Sequence, residues 1–341
     1  MVITEKLRQR FAKDIGIPIK IFVEPYFSNL LDLYEEHYAA RTKWNQFLDL
    51  LESFENEQAY FAMYNATKDA VITYLANNPE MQYFSQREDM KKFAPEFQGY
   101  PSNSVFKCTN VGKHFVSIDM IKGNFTALRH YNPDIVGGKE TYEEFIRAFT
   151  GDNDHLTFSK YLRQVCFGNS NPKRQVTYER YLMEQVLSEI FARTKILGKN
   201  VAYLGTDEIV LDITGYIDSN GQLDSKFQEM LNRAIDTVKA DGINVRHEYF
   251  HLYRIKSTNG GYMRKYEFET AHKGVDFKCV EADEMPFVVR SYKGETVSDL
   301  DMVFIYNGKL AKLLDAPKIE FTDVWSPADE IKKGNGTEND A

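Results

Sequence analysis

The stretch Val201–Thr214, VAYLGTDEIVLDIT, constrains this chain more than any other. Val201, Ala202, Tyr203 and Leu204 form one run of β-formers, and Ile209, Val210, Leu211, Asp212 and Ile213 form a second. Gly205-Thr206-Asp207-Glu208 lies between them as a short polar break. Apolar β-formers on both sides of such a break predict a tight hairpin. Two adjacent carboxylates then share its tip. Like charges side by side repel, so the pair requires open water or a bound cation.

The rest of the chain is long enough to build around that tip. With 341 residues it can hold a large core and more than one domain. Hydrophobic residues at 43% and aromatics at 14% exclude a mainly disordered chain. The net charge of −8 argues against a protein that coats duplex DNA with its whole surface, so contact with a polyanion must come from local cations or metal ions. Cys108, Cys166 and Cys279 are far apart and odd in number, which gives neither a disulfide framework nor zinc spacing. No apolar run is long enough to span a membrane, and the N-terminus lacks a signal-peptide core. The reading is a soluble, cytoplasmic protein of a reducing compartment.

Residues 1–100 read as an N-terminal helical domain. Leu30, Leu31, Tyr34, Tyr38, Trp44, Phe47, Leu48 and Leu51 recur at threes and fours and predict one long helix after Pro25. Phe61 to Leu75 predicts another, stopped by Asn77-Asn78-Pro79. Glu80–Tyr100, with Pro95 and Gly99, reads as a short helix and a connector. The aromatic helices also offer a docking surface for a protein partner.

Residues 101–280 change character. His114–Met120 alternates as a strand that ends in the carboxylate of Asp119, followed by Lys122-Gly123-Asn124-Phe125 and a helix through Arg129. Thr157–Phe167 reads as a helix with Lys160 and Arg163, and the polar loop that follows carries Lys173 and Arg174 into a helix ending near Thr194. After the hairpin, Phe227 to Val238 has a strong helical period. Asn244–Ile255 alternates as a strand, and Tyr262–Thr270 is its antiparallel partner. His247 and His251 share a face of that strand. No carboxylate or cysteine partner is evident for them, so they read as half-buried strand residues. Cys166 has no nearby histidine to activate it as a nucleophile. Phe277–Val280, Phe287–Tyr292 and Met302–Ile305 read as further short strands, so residues 281–324 extend the sheet and residues 325–341 form a flexible tail.

The order strand (Asp119), helices, acidic hairpin (Asp207, Glu208), helix, strand resembles the palm domain of nucleic-acid polymerases and nucleotidyl cyclases. FVSIDMIKGNF is similar to the first metal motif of that superfamily, and YLGTDEIVLDI to its third. FGNSNPKRQVTYERYLMEQ lies between them as a Gly/Ser/Asn loop leading into a helix, like the second. The long insertion between the first and third motifs is closest to reverse-transcriptase-like and RNA-polymerase-like palms. The hairpin carries Asp-Glu where reverse transcriptases have Asp-Asp, and no fingers motifs precede residue 110.

The resemblance implies an α+β fold, an antiparallel palm-like (split βαβ) sheet beside the helical region. It implies a nucleotidyltransferase that joins an NTP or dNTP to a 3′-hydroxyl with two Mg²⁺ (or Mn²⁺) ions about 3.5–4 Å apart. Asp119 and Asp207 would bridge the ions, with Glu208 as an outer ligand and the carbonyls of Met120 and Ile121 completing an oxygen shell. Lys122, Arg163, Lys173 and Arg174 would neutralise the triphosphate and Asn124 would contact the sugar. The implied partners are a nucleoside triphosphate and nucleic acid. The competing expectation is a non-catalytic scaffold, a degenerate palm that holds nucleic acid or a protein.

Overall fold

The computed structural model describes residues 1–86, 90–94, 96–268 and 274–325. Pro95, the end of the expected strand Tyr262–Thr270, and the expected tail from residue 326 lie outside the described residues.

The N-terminal helices begin and end at local signals. Helix α1 (Glu5–Ile15) starts where the Thr4 hydroxyl accepts the N–H of Leu7, and stops at Gly16 in the left-handed conformation. The single helix expected after Pro25 is instead three: α2 (Tyr26–Leu33), α3 (Glu35–Tyr38) and α4 (Ala40–Glu52). Ala39 breaks the run with a φ of 50°, and the Glu35 carboxylate accepts the N–H groups of Arg41 and Thr42 at the new helix start. The apolar phase continues across the break, so periodicity alone reads one helix. Helix α5 (Glu57–Asn77) ends before Pro79 as expected, and α6 (Pro79–Gln86) follows. Asn56 caps α5 by accepting the N–H of Ala59 at 2.9 Å. Asn56→Ala is expected to lower stability by about 1 kcal/mol, read as a lower urea midpoint at unchanged slope.

Strand β1 (His114–Met120) is followed by helices α7 (Gly123–Tyr131), α8 (Tyr142–Thr150), α9 (Asp154–Thr157), α10 (Lys160–Gly168) and α11 (Pro172–Arg193). The hairpin strands β2 (Val201–Leu204) and β3 (Glu208–Asp212) come next, then α12 (Ser225–Ala240), β4 (Val245–Lys256), β5 (Gly261–Glu267) and β6 (Gly274–Lys278). The sheet order is β2-β3-β1-β4-β5-β6, and every pairing is antiparallel. Strand β1 therefore sits in the centre, with the acidic hairpin on one side and β4 on the other.

Alternation along β1 sorts its side chains between two cores. Val116, Ile118 and Met120 join the large core shared with the helices, including Leu182 and Val186 of α11 and Leu231 of α12. Phe115 faces the other way, into a smaller cluster with Val210, Phe250 and Leu252 that Val105 covers. The large core runs without a break from Leu7 of α1 to Val289, so the boundary expected near residue 100 does not divide it. A buried polar knot ties the helices together. The fully buried Asp14 of α1 accepts from Arg10 at 3.1 Å, from Ser159 at 2.8 Å and from Tyr64 at 3.4 Å, and lies 3.2 Å from His155 Nε2.

The C-terminal segment corrects an expectation. Phe287–Tyr292, read as a strand, lies within helix α13 (Met285–Lys293), which carries Pro286 in its first turn and ends at a left-handed Gly294. A short, wholly buried apolar run looks the same in a strand and in a buried helix. Strands β7 (Val303–Tyr306) and β8 (Lys309–Lys312) form a separate hairpin. From residues 281–324 only β9 (Glu320–Thr322) joins the main sheet, continuing the edge of β4 that β1 occupies. Among the described residues no helix is long and apolar enough to cross a membrane.

Candidate active site at the carboxyl end of the first strand

The end of β1 is clamped from both sides. The Met120 N–H donates to the Asp207 carbonyl at 2.7 Å, and the Ile121 N–H to the Asn244 carbonyl at 2.8 Å. Asp119 lies directly across from Glu208 on β3 and from Arg246 on β4. The chain then turns at Lys122, with φ 51°, into the N-terminus of α7. Gly123 begins that helix, and a Cβ there would sit 3.4 Å from the Asp207 side chain and 3.7 Å from the Glu179 carboxyl carbon. Both are ordinary van der Waals distances, so the helix start lies beside both acids.

These elements enclose a cavity of 490 Å³ lined by Asp119, Asp207 and Glu179 and by Lys122, Lys160, Arg163 and Arg246, with Met120, Ile121 and Asn124 on its wall. Asp119, Met120, Asp207, Lys122, Asn124 and Arg163, all picked from sequence, thus meet in one place. Burial pushes the Asp119 carboxyl up to about 6 against the pull of Arg246, and the charges of Asp207 and Glu208 push it further the same way. Burial and then Asp207 push Glu179 up to about 7, opposed by the hydrogen bond that Asn124 donates at 2.8 Å. Burial, followed by the neighbouring Arg163, brings Lys122 down to about 8, although Lys122 also pairs with Glu143. The cavity sets three carboxylates against four cationic side chains, of which Lys122 and Arg163 are held short of water while Lys160 and Arg246 are exposed.

Glu208 shares the sheet face of Asp119, directly across from it, and is turned away from Asp207. Successive strand residues point to opposite sides, so the hairpin divides its two acids. Ser117 donates to Glu208 at 2.6 Å and Arg264 pairs with it at 3.0 Å, inside an adjoining cavity of 440 Å³ also lined by Glu248, Asp276 and Lys278. Asp119 and Arg246 border both cavities, and Arg246 holds Asp119 at 3.1 Å. Among the described residues these acids do not gather three ligand oxygens within 4.8 Å of one another.

Lys173 and Arg174 stand away from both cavities. Lys173 is exposed at the start of α11, and Arg174 donates to the Phe84 carbonyl at 3.1 Å. The cavity meets α11 further along at Glu179, about 8 Å by helical rise. Glu179, Lys160, Arg246 and Arg264 are not among the site residues expected from sequence, although Lys160 is placed there on its helix. Only Glu179 left a signal there: it is a charge within the apolar stripe that also carries Tyr178, Leu182 and Val186. The arginines depend on sheet register, which the sequence does not display.

Comparison with protein-family models, with curated proteins and with solved structures returned no match.

Proposed function

We propose that the protein is a metal-dependent nucleotidyltransferase with a palm-like, split βαβ catalytic unit. The single observation that carries this reading is the convergence of Asp119 and Asp207, from the central strand and a distant hairpin, on one cavity rich in cations. The strand order, with the hairpin antiparallel to β1 and β4 antiparallel on its other side, supports the same reading.

The donor set suits Mg²⁺, which prefers carboxylate and carbonyl oxygen and tolerates water in its shell. Asp119 and Asp207 would hold it, with the carbonyl of Met120 beside them. When bound, the ion acidifies an attacking hydroxyl and offsets charge on the leaving pyrophosphate. The chain's own groups do the rest. Lys122, Lys160 and Arg163 neutralise the triphosphate, and the free N–H groups at the start of α7 add to the same field. Asn124 fixes Glu179 and contacts the sugar. Arg246, with a side chain 57% exposed, pairs with Asp119 at 3.1 Å.

Incubation with labelled NTPs or dNTPs in Mg²⁺ or Mn²⁺, with and without primer–template, tests the proposal. Incorporation, cyclisation or pyrophosphate release is expected. Absence of all three favours the scaffold reading, which the arginine pairing of both Asp119 and Glu208 supports. Glu179→Gln is expected to lower turnover about tenfold, because it loosens Asn124 while leaving both proposed ligands in place; steady-state rates at saturating nucleotide check it.

A further inference from the structure

The other end of β1 carries a second set of reactive side chains. His114 opens the strand directly across from His251 on β4, and their rings stack at 4.2 Å. Glu267 reaches them from β5, where it pairs opposite Tyr249, two residues before His251. One ring nitrogen from each histidine and one Glu267 oxygen lie within 4.8 Å of one another. His114 Nε2 is 3.3 Å from the Glu267 carboxylate.

His251 adds an independent observation. Its Nε2 is buried and has no hydrogen-bond partner. An imidazole with an unsatisfied buried nitrogen, clustered with a carboxylate and a second imidazole, is suited to ligate a metal. A buried, unpaired polar atom also calls for a partner of some kind.

We propose that His114, His251 and Glu267 bind a first-row transition ion, with Zn²⁺ the occupant that best suits two imidazoles and one carboxylate. Bond lengths of about 2.0–2.2 Å place tetrahedral ligands about 3.3–3.5 Å apart. The His114–Glu267 separation already has that value, and side-chain rotation closes the rest. Mg²⁺, which demands oxygen, is disfavoured here. The site is independent of the carboxylate cavity. His114 and Asp119 lie about 17 Å apart along β1 and, five residues apart, on opposite faces. The ion joins β1, β4 and β5 next to Gly112, whose Cα abuts the Asp323 carbonyl just after β9. It therefore pins the place where β1 and β9 meet along β4.

The test is zinc chloride titrated into the chelator-stripped full chain, by calorimetry and by thermal unfolding. One equivalent and a zinc-dependent rise in unfolding temperature are expected. His251→Ala and Glu267→Gln should each weaken binding at least about 100-fold and remove that rise, whereas Asp207→Asn should leave both intact. If His251→Ala fails to fold, the near-isosteric Glu267→Gln carries the comparison. Co²⁺ in place of zinc should give tetrahedral d–d bands without a thiolate charge-transfer band. No stabilisation by zinc, equal affinity in wild type and Glu267→Gln, or a thiolate band assigning the ion to Cys108 or Cys279 would each overturn the proposal.

Discussion

Asp207→Asn is expected to lower nucleotide transfer by about 10³-fold or more while the circular dichroism spectrum and urea midpoint stay unchanged. The substitution keeps the size of the side chain and removes its charge. The Asp207 backbone carbonyl still accepts the Met120 N–H, so the clamp on the end of β1 persists. What is lost is one of the two carboxylates proposed to hold the divalent ion between separate chain segments. Burial and the Asp207 charge both push Glu179 up, so removing that charge also relieves like-charge crowding, and stability should not fall. Asp212→Asn serves as the control on the same ribbon. Asp212 lies at the far end of β3, paired with Lys113 at 3.3 Å, and its loss should leave turnover as it was. Comparable losses in the two variants would point to folding rather than chemistry.

Asp14→Ala is expected to cost about 3–5 kcal/mol of stability, the largest effect of any single polar substitution away from the site. Asp14 is fully buried and answers Arg10 one turn earlier on α1, and Tyr64, Ser159 and His155 from three other places in the fold. Truncation leaves a buried guanidinium without its counter-charge and several donors without an acceptor. Arg10 keeps a stacking partner in Tyr161, 3.9 Å from the ring centroid, so its position need not change. Asp14→Asn, which retains one acceptor oxygen, should lose less. Equilibrium urea unfolding measures both, and a loss under about 1 kcal/mol for Asp14→Ala would show that water replaces the carboxylate inside the helical core.

Much of the architecture was legible because it is written in local periodicity. The hairpin, β1, α5, α11, α12 and β4 all stand where apolar spacing puts them, within a few residues. The three-way division of α2, α3 and α4 was not legible, since it rests on a left-handed Ala39 and on a cap that Glu35 supplies from outside the helix it caps. Helix α13 was misread because a run such as Phe287-Val288-Val289 is buried on every side and so has no period to read.

The candidate site divides along the same line. Asp119, Lys122, Asn124 and Asp207 follow directly from strand ends and turns, which sequence displays. Lys173 and Arg174 looked equivalent to Arg163, but position along a helix decides which cations reach the cavity. Glu208 looked like a twin of Asp207, yet strand alternation sends it to Ser117 and Arg264. His251 seemed to lack a carboxylate partner; Glu267 becomes its neighbour only through the register of β4 with β5, and His114 only through that of β1 with β4.

The central claim is that Asp119 and Asp207 serve one divalent-ion site. Manganese binding followed by electron paramagnetic resonance, in a Glu267→Gln background that silences the histidine cluster, tests it most directly. Weak Mn²⁺ binding that disappears in both Asp119→Asn and Asp207→Asn is the predicted result. Binding that survives either substitution unchanged would contradict the account.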